Sequence, residues 1–139
     1  MIMFINIVAK QPPVVVMHGI MDTKESMNNI IQYLKDVTPD LYVLNCEVGN
    51  GYMDSIFMDV YSAVKEVTNC IVNDPNLMDG FIILGYSQGG YLLRSYLENR
   101  TDSQPKVLRF ITLTSPLAGY LQLCIFKSSI GSSSFSLSI

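Results

Sequence analysis

Four short apolar runs, most without strict polar alternation, limit the folds open to this chain: Val14-Val15-Val16-Met17, Leu41-Tyr42-Val43-Leu44, Phe81-Ile82-Ile83-Leu84 and Val107 to Leu113. A strand that is apolar on both sides must be covered on both sides, as in a parallel sheet between two helix layers. Helical patterns fill the intervals. Met27, Ile30, Ile31 and Leu34 recur at helical spacing behind the capping candidates Asp22 and Thr23. Phe57, Val60, Tyr61, Val64, Val67 and Ile71 read as one long apolar stripe, and Tyr91, Leu92, Ser95 and Tyr96 as the inner face of a later helix. Plain core packing accounts for both. Strands alternating with helices imply right-handed crossovers, with ligands beyond the carboxyl ends of the strands. The predicted class is α/β, a mostly parallel sheet with helices on both faces.

The third run, Gly80-Phe81-Ile82-Ile83-Leu84, leads directly into Gly85-Tyr86-Ser87-Gln88-Gly89 and then a helical pattern. Gly-x-Ser-x-Gly by itself fits two loop glycines around a helix-capping serine. Between an apolar strand and a helix it is the setting of a nucleophile elbow. Such a turn leaves no room for side chains beside the serine. It would hold the Ser87 hydroxyl above the sheet edge, at a helix start whose amides favour developing negative charge. His18-Gly19-Ile20-Met21-Asp22 follows the first strand at the same edge. A His-Gly loop there supplies a backbone N–H to an oxyanion hole. The expected donors are the amides of Ile20 and of Gln88, with Gly19 allowing close approach and His18 ordering the loop.

A serine nucleophile needs a base, usually a histidine held by a carboxylate. His18 is the sole histidine and precedes Ser87, whereas the hydrolase order places acid and histidine after the serine. Asp102, the one acidic residue after Glu98, lies in a polar turn and reads as a solvated loop residue. The triad Asp and His have no counterparts in this sequence, so the site it encodes is half present.

At 139 residues, with 49% hydrophobic and 15% charged residues, the chain suits one rather apolar domain. A formal net charge of -3 and the lack of a Lys/Arg cluster exclude a nucleic-acid partner. No apolar run approaches the ~20 residues that span a bilayer, so no transmembrane span is expected. Cys46, Cys70 and Cys124 show no Cys-x-x-Cys spacing, so no metal site is expected. Cys46 and Cys70 read by default as buried small hydrophobes, with one disulfide open but unassignable. Neither Gly-x-Gly-x-x-Gly nor Gly-Lys-Ser/Thr occurs, and no cofactor is expected. Residues 1–12 read as a short secretory signal or a disordered start. Residues 13–120 read as the ordered domain, and 121–139 as a divergent Ser-rich tail with seven serines in its last twelve positions. Leu121 to Phe126 could add a short strand. Asn99-Arg100-Thr101 is a glycosylation sequon.

These motifs together resemble the palmitoyl-protein thioesterase family of α/β-hydrolases. The resemblance is carried by His18-Gly19-Ile20 with Asp22, by Tyr86-Ser87-Gln88-Gly89-Gly90, and by Leu113 to Tyr120. Thr114-Ser115-Pro116-Leu117-Ala118-Gly119 is closer to the lysosomal thioesterase branch. The resemblance implies the N-terminal part of an α/β-hydrolase domain, C-terminally truncated, with the family's Asp and His in the part that is missing. It implies hydrolysis of long-chain acyl thioesters, from S-acylated proteins or acyl-CoA-like donors, with Ser87 as nucleophile, in the lysosome or secretory pathway. Two alternatives stand beside it: a carboxylesterase or lipase, and an inactive acyl-binding remnant. A sheet that stops after Val107 to Leu113 is expected to expose an apolar edge.

Overall fold

The computed structural model describes residues 11–118. Met1 to Ala9, Cys124, the strand expected at Leu121 to Phe126 and the serine-rich tail lie outside the described residues. Strands β1 (Val14–Met17), β2 (Val43–Cys46), β3 (Phe81–Tyr86) and β4 (Val107–Leu113) form one sheet in the order β2-β1-β3-β4. Every pairing is parallel, with Val15 opposite Leu44 and Ile83, and Ile83 opposite Phe110. The chain steps from β1 to β2 on one side, then returns past β1 to β3 on the other. The sheet therefore has its topological switch point between β1 and β3, where ligands of such sheets gather.

Alternating residues divide the sheet into two packed faces. Val14, Val16 and Leu84 face α1 (Asn28–Val37), joining Met27, Ile30, Ile31 and Leu34. Val15, Met17, Phe81 and Ile83 face the other layer, formed by α3 (Val60–Val72) and α4 (Gln88–Asn99). Each fully buried aliphatic side chain there contributes about 1.5–3 kcal/mol, so the double-sided runs of β1 and β3 anchor the molecule. The outer strand β4 leaves Leu108, Ile111 and Leu113 exposed.

Four details depart from the sequence reading. The stripe from Phe57 to Ile71 is not one helix. Chain direction breaks at Met58 (ψ 133°), between a short α2 (Tyr52–Phe57) and α3. Asp59 then caps α3, its carboxylate accepting from the Ser62 amide at 3.0 Å. That cap resets the helical phase. Ala63, Val67 and Ile71 point inward, while Phe57 is 56% and Tyr61 81% exposed. Ahead of α1, Thr23 begins a 3-10 turn without side-chain capping, and Asp22 accepts from the Thr23 amide at 2.9 Å. On α4 the inner face includes Leu93 beside Leu92 and Tyr96. Cys46 and Cys70 are not free hydrophobes: a disulfide joins the end of β2 to α3.

Candidate active site

Ser87 occupies the single residue between β3 and α4. Its backbone sits at φ 52°, ψ −124°, a combination that residues with side chains rarely adopt and that costs on the order of 1–3 kcal/mol. The surroundings hold it there. The Ser87 amide donates to Leu113 O at 2.9 Å, tying the turn to the end of β4, and the Gly90 amide donates back to Ser87 O at 3.1 Å. A Cβ at Gly85 would run into the Gly90 backbone, and one at Gly89 into the carbonyl oxygens of Met17 and His18. These absent side chains let the start of α4 lie directly against the ends of β1 and β3. Ser115 closes the other flank against Gly90, its hydroxyl in reach of Gly85 O (3.4 Å) and Leu113 O (3.3 Å).

The loop after β1 is brought to the serine. A Cβ on Gly19 would lie 3.0 Å from Ser87 Cβ and 3.5 Å from Ser87 Oγ, so the backbone next to Ile20 borders the hydroxyl. His18 is 1% exposed, and its Nδ1 lies 2.8 Å from Gly19 O. Donation from Nδ1–H to that carbonyl fixes the loop. Nε2 is then left as a buried acceptor without a partner among the described residues. Gln88 is buried at the first position of α4. Asp102 is exposed at the opposite end of the sheet, between α4 and β4, apart from Ser87.

Sequence reasoning missed Ser55. This buried residue of α2 accepts from the Met21 amide at 2.9 Å and donates to Tyr52 O at 2.7 Å. It holds the residue after Ile20, itself at φ 59°, from outside the His-Gly motif. Glu47 adds a second tie, accepting from the Lys24 amide at 3.1 Å and pairing with Lys24 Nζ at 3.5 Å. A lone serine in a six-residue helix carries no motif, so only the fold exposes its contact. Tyr86 and Leu113, the last residues of β3 and β4, and Met21, in the loop after β1, leave apolar surface exposed. Two surface depressions, of about 670 and 500 Å³, lie elsewhere and are lined by neither Ser87 nor the His18 loop. Among the described residues no cluster of His, Cys, Asp or Glu is arranged to hold a metal ion, and no helix is long and apolar enough to cross a membrane.

A family profile described as palmitoyl protein thioesterase matches residues 13–136. Palmitoyl-protein thioesterase 3 of Dictyostelium discoideum is 37% identical over 115 residues, covering 83% of this chain and 39% of its own length. The lysosomal thioesterase PPT2 homolog of Drosophila melanogaster is 34% identical over 108 residues, 77% of this chain and 36% of its own length. Human lysosomal thioesterase PPT2 is 28% identical over 113 residues, again 36% of its length. The chain thus spans under two fifths of these curated relatives. The profile match over nearly the whole chain, the relatives and the parallel sheet agree: the chain belongs to the palmitoyl protein thioesterase family, a family of thioester hydrolases with an α/β-hydrolase-type fold.

Proposed function

We propose that this chain carries the nucleophile half of a thioesterase site acting on long-chain fatty acyl thioesters, either S-acylated proteins or acyl-CoA-like donors. The observation that carries the proposal is Ser87 itself, held at φ 52° in a glycine-packed strand-to-helix turn beside Gly19. Strain retained at a sheet's carboxyl edge, next to a loop with backbone donors, suits a poised nucleophile. Ser87 Oγ would attack the thioester carbonyl, and the amides of Ile20 and Gln88 would hold the developing oxyanion. In support, the Ile20 N–H donates to no backbone carbonyl among the described residues. Each such donor is worth about 10²–10³ in rate. The thiol would leave, and water would release the fatty acid from the acyl-enzyme. Exposed Met21, Tyr86 and Leu113 would give the acyl chain apolar surface.

The proton from Ser87 needs a base that the described residues do not place. His18, buried and turned to Gly19 O, serves the loop instead. The 139-residue chain should therefore show little turnover and weak fluorophosphonate labelling. The chain would work in the lysosome or secretory pathway; the names of relatives such as the Drosophila lysosomal thioesterase homolog support this, as does the disulfide, since disulfides persist in oxidising compartments. The test joins residues 1–118 to the C-terminal part of the Dictyostelium relative. The chimera should hydrolyse a palmitoyl thioester, and Ser87→Ala should lower kcat about 10³-fold or more. Full activity in Ser87→Ala would remove the nucleophile assignment. A clear preference for oxygen esters would move the function to carboxylesterase or lipase.

A further inference from the structure

We propose that Asn99 is an N-glycosylation site, carrying its oligosaccharide at the end of the molecule remote from Ser87. Asn99-Arg100-Thr101 is the sole Asn-x-Ser/Thr triplet in the sequence, and its middle residue is not proline. Asn99 is the last residue of α4 and is exposed. Arg100 leaves the helix in an extended conformation (φ −66°, ψ 149°). Thr101 then opens an exposed turn closed by the Gln104 amide on Thr101 O at 3.1 Å. The acceptor thus sits in a surface connection, where a bulky glycan meets solvent rather than core. The Cys46–Cys70 disulfide is independent support. It marks a chain that matures in an oxidising compartment, and the endoplasmic reticulum lumen is where such bonds form.

The chemistry is a substitution at an anomeric carbon. Asn99 Nδ2 forms a bond to C1 of the first sugar of a polyprenyl-diphosphate-linked oligosaccharide. The bond from C1 to the diphosphate oxygen breaks, the lipid diphosphate departs, and Nδ2 gives up one of its two protons. The remaining N–H can keep the contact from Nδ2 to Ser95 O, now 2.7 Å, so the helix end need not rearrange. Gln88 and Asn99 are separated by eleven helical steps, roughly 17 Å along α4, so the glycan would not cover the serine.

The test directs the full chain into the secretory pathway of a eukaryotic cell with an added signal and a tag carrying one acceptor sequon of its own. Two glycans should be found on the unaltered sequence, both removed by a peptide amidase that releases N-glycans. One glycan should remain in Asn99→Gln and in Thr101→Ala, and two in Thr101→Ser, which keeps the hydroxyl. Peptide mass spectrometry should place the second glycan at position 99. A tagged chain that carries only the tag glycan, or a second glycan that survives Asn99→Gln, would overturn the proposal.

Discussion

The two ends of the sheet are built differently. At the carboxyl end the backbone is bent into unfavourable conformations: Met21, Ser87 and Thr114, the non-glycine residues with positive φ (59°, 52° and 50°) among the described residues, follow β1, β3 and β4 in turn. At the amino end, polar side chains make the connections. Asp74, ahead of β3, accepts from Tyr42 Oη at 2.6 Å, from the Asn76 amide at 2.9 Å and from Asn76 Nδ2 at 2.8 Å. Burial pushes the Asp74 carboxyl up, but the hydrogen bonds from Tyr42 and Asn76 outweigh it and hold the group below its ordinary range. The same bond to Asp74 pushes the Tyr42 hydroxyl up. An end that only joins strands can relax and satisfy its polar groups. An end that keeps several strained residues side by side is held in shape for another purpose.

The largest effect is expected where the carboxyl end is tightest. Gly85→Ala should lower unfolding free energy by upwards of about 3 kcal/mol, because its new methyl group meets the Gly90 backbone rather than a movable side chain. A loss under about 1 kcal/mol in urea titrations would mean this junction gives way easily, and the contrast between the ends would fade.

Tyr42→Phe probes the amino end and should cost about 1–2 kcal/mol at neutral pH through its bond to a carboxylate. The sign of its pH dependence follows from the lowered Asp74. A group depressed in the folded state stabilises above its unfolded pKa, about 3.9, and loses that contribution as pH falls through the folded value. The difference between the parent chain and Tyr42→Phe should therefore be full at pH 7 and shrink below about pH 4. A difference that is flat from pH 7 to pH 3 would show that the bond does not depend on the Asp74 charge.

Ser55→Ala should cost about 1 kcal/mol, by leaving the Met21 amide without its acceptor. Its sharper readout is local. Hydrogen exchange at Met21 should speed up while exchange in β1 stays slow. Unchanged exchange at Met21 would remove Ser55 from the account of the His18 loop.

Much of this was legible in the sequence for a simple reason. Val14 to Met17 and Phe81 to Leu84 are apolar at every position, and a short run of that kind fits a central parallel strand. Parallel direction then puts His18 and Ser87 at one edge, which is why their proximity could be read without coordinates. The signal weakens at the sheet margin. β2 starts at Val43 rather than Leu41, and it includes Asn45 because an outer strand is covered less completely. The helix stripe misled because Phe57, Val60 and Tyr61 fit a 3.6-residue period by hydrophobicity alone, while Asp59 restarts the helix between them. The Cys46–Cys70 bond and the Ser55 contact join residues 24 and 34 positions apart, and no local pattern announces either.

If Ser87 is held in its conformation for chemistry and at the expense of stability, relieving its backbone strain should stabilise the chain. The direct measurement is the unfolding free energy of Ser87→Gly against the parent chain. Glycine accepts φ 52°, ψ −124° without strain, relieving on the order of 1–3 kcal/mol, while its extra freedom in the unfolded chain takes back about 0.5–1 kcal/mol. Ser87→Gly should therefore be more stable by about 1 kcal/mol. Equal or lower stability would contradict the claim, because the serine side chain would then be supporting the turn rather than being strained by it.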